Sequence, residues 1–220
     1  MKKLLLTLLL GISIIACKSS KTSFCGVLYG SKKEILKYES NTILFNFLDP
    51  KPNEKIADIG AGGMQWEAQM MVLRDSLTFY CEDVNTSCNN EQQLKKVFEN
   101  VNKLRGGQSS GKIIQVLGTK YSTGLETSFF DKVLIINTFH EFSQRDTMVS
   151  EIYRILKTGG KVYIDERLPE KNKTIHQGCK KPMIGEVELI ELMEKNGFKL
   201  IDKKMMKYTF PDQVYCFKKV

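Results

Sequence analysis

The fold is decided by the stretch Lys55-Ile56-Ala57-Asp58-Ile59-Gly60-Ala61-Gly62-Gly63. Its first half is a short apolar run typical of a buried strand, and its second half is a glycine loop that precedes a helical stretch from Met64 to Leu73. Glycine lets the backbone bend sharply and lets a ligand lie directly against it. Because open α/β sheets bind ligands beyond the carboxyl ends of their strands, this loop is the first candidate ligand site.

Outward from this loop, short apolar runs alternate with helical stretches. The predicted strands cover residues 55–59, 77–81, 112–117, 131–136, 161–165, 198–202 and 213–217. Strands that alternate with helices form a parallel sheet with right-handed crossovers, but the last two leave no room for a crossover helix and should pair antiparallel. The sequence therefore predicts an α/β fold with a doubly wound, mostly parallel seven-stranded sheet and an antiparallel last strand. We expect the helix over 146–156 to be followed by Gly159-Gly160 as its C-cap.

The first residues have the pattern of a targeting signal. Lys2 and Lys3 precede an apolar run from Leu4 to Ile15 that is too short to span a bilayer comfortably. Ile14-Ile15-Ala16-Cys17 resembles the lipobox of bacterial lipoproteins, which implies cleavage before Cys17 and lipidation of its thiol. An ordinary secretory signal and an uncleaved anchor are the alternatives.

This pattern divides the chain into three parts. We expect a lipoprotein signal peptide over residues 1–16, a lipidated tether over 17–30 and a folded domain over 31–220. Two or three acyl chains on Cys17 would hold the protein firmly at a membrane. The predicted location is the bacterial cell envelope, in the periplasm or at the outer membrane.

Composition and charge narrow the partners only slightly. The chain carries 33 basic and 25 acidic residues, a formal net charge of +8, but the lysines are scattered and form no basic block. We therefore expect no nucleic-acid partner. The remaining cysteines contain no Cys-x-x-Cys pair, and their spacing suggests no zinc site and no disulfide. Cys81 and Cys216 lie in apolar runs and are expected to be core thiols.

Several segments in consistent order resemble the class I S-adenosylmethionine-dependent methyltransferases. The matching segments are residues 56–62 (the first motif), 79–85 (the second strand with its acid), 129–136 (the fourth strand), 151–162 (the approach to the fifth strand) and 191–198. The resemblance covers roughly residues 30–220. It implies S-adenosylmethionine as the cofactor and methyl transfer to an acceptor that the sequence does not name, whether a small molecule or an envelope component.

The resemblance also implies roles for particular residues. Asp58 would orient the methionine end of the cofactor, which would lie on Gly60 and Gly62. Asp83 would hold the ribose and Val84 would pack against adenine. Two further positions, Thr119 after the third strand and Asn137 after the fourth, would line the same site.

Two positions depart from the family pattern. Met64 stands where a third glycine is common, and Leu117-Gly118-Thr119 stands where an acid usually follows the third strand. A nicotinamide-binding fold is the nearest alternative sheet, but its fingerprint needs a third glycine or alanine where Gln65 stands. In a third alternative, Gly60 and Gly62 form only a tight turn between strand and helix, without a ligand.

Methyl transfer needs alignment of donor and acceptor, and a base only when the acceptor must lose a proton. His140, which follows the fourth strand, is the candidate base, and Glu141 would orient it or touch the substrate. His176 and Cys179 lie in a polar loop where such folds often build an acceptor lid.

The predicted location in the cell envelope conflicts with the predicted cofactor, because S-adenosylmethionine is made in the cytoplasm. Two hypotheses follow. One is an enzyme that methylates an envelope substrate, and the other is a non-catalytic binding module that keeps the methyltransferase fold.

Overall fold

The computed structural model describes Cys25 and residues 32–37, 39–206 and 212–220. The described residues exclude the predicted signal peptide, the predicted lipidation site Cys17 and all of the predicted tether except Cys25. Among the described residues, no helix combines the length and the apolar character that crossing a membrane would require.

Seven strands and six α-helices alternate along most of the described chain. The strands are β1 (Lys55–Ile59), β2 (Thr78–Asp83), β3 (Lys112–Leu117), β4 (Phe130–Ile136), β5 (Leu156–Arg167), β6 (Phe198–Met205) and β7 (Asp212–Lys219). The helices are α1 (Lys32–Lys37), α2 (Glu39–Leu48), α3 (Gln65–Leu73), α4 (Glu91–Arg105), α5 (Arg145–Ile155) and α6 (Glu186–Lys195). A short 3-10 turn, Phe139–Glu141, follows β4.

All seven strands form one sheet in the order β3-β2-β1-β4-β5-β7-β6. The strands β1 to β5 pair with one another in parallel, and β7 lies between β5 and β6 and is antiparallel to both. This arrangement confirms the predicted fold class. The strand order reverses beside β1, so the loop after β1 lies at the topological switch point, where sheets of this kind bind ligands.

Two apolar layers cover the sheet, one on each face. The layer under α1 to α4 contains Leu44, Met71 and Val101, and the layer under α5 and α6 contains Ile152 and Met193. The central strands are buried on both faces, as their continuous apolar runs predict. Cys81 and Cys216 are buried free thiols of the first layer, as predicted. This rigid three-layer body fixes the positions of the strand ends.

The helix that precedes β5 ends without the predicted glycine cap. Its last residue is Ile155, and the chain passes at once into extended backbone at Leu156. Gly159 lies instead inside β5 with φ of 74°. The pairing of β4 with β5 shifts register there, because Phe130 pairs with Leu156 whereas Lys132 pairs with Lys161. The left-handed glycine therefore serves a bulge in the strand.

The expectation of no disulfide is wrong, because Cys25 is bonded to Cys88. Cys88 lies between β2 and α4, beside the candidate ligand site. The two cysteines are 63 residues apart, so their proximity arises only when Cys25 packs near the end of β2. Spacing along the sequence carries no signal for such a pair.

We expect loss of this disulfide to destabilise the protein. Closing a loop of this length is worth about 4 kcal/mol in the chain-entropy account. Replacing Cys25 and Cys88 together by serine should therefore lower the free energy of unfolding by roughly 2–4 kcal/mol, measured by urea denaturation without reductant.

Dithiothreitol provides the matched control. It should lower the denaturation midpoint of the wild-type protein toward that of the double variant and leave the double variant unchanged. A wild-type midpoint that does not respond to dithiothreitol, or a non-reducing peptide map without a Cys25–Cys88 cross-link, would contradict the prediction.

Candidate active site at the carboxyl ends of the strands

Backbone hydrogen bonds hold the glycine loop against the end of β2. The amides of Gly60 and Ala61 both donate to the carbonyl oxygen of Glu82, at 2.9 and 3.0 Å. Gly60 has φ of 79°, and a Cβ atom there would lie 2.2 Å from Cγ2 of Thr138. Only glycine fits this position, because a side chain would be strained and would also collide with the residue that follows β4.

A cavity of about 560 Å³ opens beside this loop, at the carboxyl ends of β1 to β4. Its volume lies within the range of small-molecule and cofactor sites. A Cβ atom built on Gly62 would meet no atom within 4 Å, so the loop backbone is bare on that side. The lining residues are Ile59, Gly60, Gly62, Glu82, Asp83, Val84, Asn85, Ser87, Cys88, Thr119, Lys120, Thr138, Glu141, Phe142, Ser143, Met148 and Lys181.

Most of the predicted site residues lie in this lining. Five of them lie at or just after the ends of three different strands, β1, β2 and β3, and all border the cavity: Gly60, Gly62, Asp83, Val84 and Thr119. Glu141 borders it from the turn after β4. The tertiary structure therefore brings together six of the predicted positions around one space.

Asp83 holds the loop in shape as well as lining the cavity. One of its carboxylate oxygens accepts from the amide of Gly62 at 2.8 Å, and the other accepts from the amide of Asn85 at 2.7 Å. Each oxygen can accept a second hydrogen bond. Asp83 thus positions the glycine loop and keeps acceptor capacity for a ligand.

Glu82 is the cavity residue that the sequence analysis missed. Its side chain is 2 % exposed, and its Oε1 atom has no hydrogen-bond partner among the described residues. A Cβ atom at Gly118 would lie 1.6 Å from that oxygen, so glycine at this position makes room for the carboxyl. The available signal was the alternation along β2, which places Glu82 and Asp83 on opposite faces of the sheet.

Burial, and then the neighbouring Asp83 carboxylate, raises the pKa of Glu82 to about 8. Burial and the adjacent Glu67 also raise the pKa of Asp58, which is 2 % exposed. The protonated form of Glu82 therefore predominates at neutral pH. Donors from a ligand would favour its ionised form.

Three predicted residues lie outside the lining. Asp58 lies beneath the loop, and Asn137 is exposed with φ of 51° and donates its amide to the carbonyl of Asp165 at 2.7 Å. His140 is 2 % exposed, and its Nδ1 atom lies 2.8 Å from the carboxylate of Glu166. Glu141 borders the cavity and His140 does not. The role of His140 as a base remains a prediction from the sequence.

The structure places the two residues that depart from the family pattern, Met64 and Thr119, in different environments. Met64 adopts left-handed backbone with φ of 59° and buries its side chain in the core under α3, away from the cavity lining. It therefore does not narrow the cavity. Thr119 is exposed and lines the cavity where the family usually has an acid.

The raised pKa of Glu82 should be visible in the stability of the protein. Because its pKa is 4.5 in the unfolded chain and about 8 in the folded one, the native state binds more protons between these values. The contribution of Glu82 to stability is then greatest below pH 4.5 and falls as the pH rises toward 8. Glu82→Gln should raise the free energy of unfolding by roughly 2–4 kcal/mol at pH 8 and change it little at pH 4.5.

Urea denaturation across this pH range measures the effect. Glu99→Gln, on the exposed face of α4, is the matched control and should follow the wild-type profile. Parallel profiles for the wild type and Glu82→Gln from pH 4.5 to 8 would show that the carboxyl is not protonated in the native state.

Comparison with known proteins agrees with this architecture. Residues 58–164 match the family model described as a methyltransferase domain, which spans just under half of the chain. No curated protein sequence gives a significant match.

Many solved structures share the fold. An S-adenosylmethionine-dependent methyltransferase from Aquifex aeolicus aligns with a TM-score of 0.61 at 18 % identity and covers 87 % of this chain and 100 % of its own. The [4+2]-cyclase SpnF aligns with a TM-score of 0.62 at 12 % identity, covering 82 % of this chain and 80 % of its own.

A third similar structure is an N-methyltransferase from Haemonchus contortus, solved with phosphomonomethylethanolamine and S-adenosylhomocysteine. It aligns with a TM-score of 0.61 at 18 % identity and covers 83 % of this chain and 52 % of its own. At these identities, structural likeness establishes the fold. The chain therefore has the seven-stranded fold of the class I S-adenosylmethionine-dependent methyltransferases, and its residues 58–164 are similar to the methyltransferase-domain family.

Proposed function

We propose that this protein transfers a methyl group from S-adenosylmethionine to an acceptor that enters the cavity beside the glycine loop. The observation that supports this most directly is the convergence of bare loop backbone at Gly62 and two acids, Glu82 and Asp83, on one cavity. A binding module without chemistry is the alternative, and SpnF shows that the fold also occurs in a protein named for a different reaction.

The residues present fit an adenosyl cofactor. The buried, unpartnered Oε1 atom of Glu82 lies in a cavity wall and lacks a donor, which the hydroxyls of a sugar would supply. Asp83 would accept from the same sugar, and Val84 and Thr119 would border the base. Gly60 and Gly62 would let the ligand lie against the loop backbone.

S-Adenosylmethionine, when bound, supplies a methyl group on a positively charged sulfur. The acidic side chains of Asp83 and Glu141 make this side of the cavity suited to a cation, and Lys120 and Lys181 also line it. Thr138, Phe142 and Met148 line the part of the cavity contributed by the residues after β4. These groups would align the acceptor and exclude water, which is much of what in-line methyl transfer requires.

Calorimetric titration with S-adenosylmethionine and S-adenosylhomocysteine tests the proposal. We expect micromolar affinity for both ligands in the wild-type protein. Glu82→Gln and Asp83→Ala should each weaken binding by about 10-fold or more, because each removes an ionised acceptor from the sugar. Raising the pH from 6 to 8 should strengthen binding to the wild type and not to Glu82→Gln, since ionised Glu82 is the better acceptor.

Glu99→Gln is the control variant and should bind as the wild type does. Absence of heat with both ligands would favour the binding-module alternative. Binding that survives in Glu82→Gln and Asp83→Ala unchanged would place the cofactor elsewhere.

We also propose that the protein acts in the bacterial cell envelope, anchored by a lipidated Cys17. The lipobox-like stretch before Cys17 supports this, and so does the Cys25–Cys88 disulfide, because disulfides persist mainly in oxidising compartments. How the methyl donor reaches such a location is a separate question from whether the cavity binds it.

Metabolic labelling with a radioactive fatty acid tests the anchor. The wild-type protein should carry label and fractionate with membranes, because acyl chains on Cys17 partition into lipid. Cys17→Ser should lose the label and the membrane association. Cys179→Ser, another single cysteine variant, is the control and should remain labelled; label that persists in Cys17→Ser would place acylation at another residue.

A further inference from the structure

The chain has only two histidines, and the fold brings both of them to one cysteine. His140, His176 and Cys179 each offer a ligand atom, and these atoms lie within 4.8 Å of one another. We propose that these three residues bind a transition-metal ion, with Zn²⁺ as the best match to their chemistry. The site lies beside the cavity and is separate from the residues assigned to the cofactor.

His140 is positioned as metal-binding histidines usually are. Its Nδ1 atom lies 2.8 Å from one oxygen of Glu166, and its backbone amide donates to the other oxygen at 3.2 Å. Its Nε2 atom is buried and has no partner among the described residues. A carboxylate that accepts from one ring nitrogen fixes the imidazole and leaves the lone pair of the other nitrogen for a metal. Glu166, on β5, is itself 1 % exposed.

His176 and Cys179 are held by the turn that connects them. The amide of Lys180 donates to the carbonyl of His176 at 3.0 Å, and the amide of His176 donates to the carbonyl of Lys181 at 2.9 Å. The Sγ atom of Cys179 lies 3.3 Å from Nδ1 of His176. The rings of His176 and His140 are 4.4 Å apart between centroids. The turn thus brings a thiol and a second imidazole to the buried Nε2 atom.

These separations suit a metal with short bonds. Zinc bonds of about 2.0 Å to nitrogen and 2.3 Å to sulfur place tetrahedral ligand atoms roughly 3.3–3.7 Å apart. The observed 3.3 Å from Sγ of Cys179 to Nδ1 of His176 lies at the lower end of this range, and the 4.8 Å limit on the group requires only small side-chain movements. One thiolate with two imidazoles favours zinc over hard cations such as Mg²⁺. Three protein ligands leave the fourth position for water or another molecule.

The surrounding charges are compatible with a cation. Glu166 faces the site, and Arg167, which follows it in sequence, pairs with Asp212 at 3.3 Å. Lys180, which follows Cys179, is exposed. A bound metal would also connect the loop before α6 to the ends of β4 and β5. Lys181 already donates from Nζ to the carbonyl of Glu141 at 2.5 Å, and both residues line the cavity. The metal would thereby stiffen the acceptor side of the cavity.

Metal titration of the full-length protein tests this proposal. We expect one equivalent of Zn²⁺ to bind, measured by competition with a chromophoric chelator. Co²⁺ should bind at the same site and give a thiolate-to-cobalt charge-transfer band in the near ultraviolet, because a cysteine sulfur is a ligand. In the wild-type protein, Zn²⁺ should also protect Cys179 from alkylation, read by peptide mass spectrometry.

Three variants separate ligation from general destabilisation. Cys179→Ser should abolish the charge-transfer band and weaken zinc binding by about 100-fold or more. Glu166→Gln should weaken binding by about 10–100-fold and keep the band, since it acts on the orientation of His140. Cys216→Ser, which changes a buried thiol on β7, is the matched control and should retain both the affinity and the band.

Several results would overturn the proposal. These are less than about 0.2 equivalents of bound zinc in the wild type, a cobalt complex without the thiolate band, or unprotected Cys179 in the presence of Zn²⁺. Zinc binding that is equal in the wild type and Cys179→Ser would assign the metal to other residues. The alkylation result needs no variant, so it decides the matter even where a substitution prevents folding.

Discussion

The site depends on one set of backbone hydrogen bonds, those that fasten the glycine loop after β1 to the end of β2. The carbonyl of Glu82 accepts from Gly60 and Ala61, and the carboxylate of Asp83 accepts from Gly62. Since β1 lies at the switch point of the sheet, fixing this loop opens a cavity between diverging connections. These hydrogen bonds place the exposed backbone of Gly62 and the acids at the end of β2 around one cavity.

The same arrangement collects acidic side chains where water is scarce. Asp58, Glu67 and Glu82 are all buried near the loop, and burial raises the pKa of each. Buried carboxyls without full hydrogen bonding lower the stability of a protein. A ligand that donates to them would remove part of that penalty, so the charge pattern is better suited to binding than to holding the fold together.

The turn after β4 presents one side chain to the cavity and buries the adjacent one. Glu141 borders the cavity, whereas its neighbour His140 turns inward to Glu166 and toward His176 and Cys179. Adjacent residues of a tight turn point in different directions, so one turn can serve both the cavity and the proposed metal site. Lys181 connects the two through its bond to the carbonyl of Glu141.

The amino-acid sequence by itself determined the sheet, because continuous apolar runs, the glycine loop and the short gap before the last strand are local signals. The resemblance to the methyltransferases also implied five of the residues that line the cavity, Gly60, Gly62, Asp83, Val84 and Thr119, and the position of Glu141 after the fourth strand indicated the sixth. Only the tertiary structure decided the pairing of Cys25 with Cys88, the inward direction of Glu82 and the gathering of both histidines at Cys179. The disulfide and the cluster at Cys179 depend on packing between residues distant along the chain, which local spacing does not encode. The burial of Glu82 depends on the room that Gly118 leaves for its carboxyl, which alternation along β2 does not reveal.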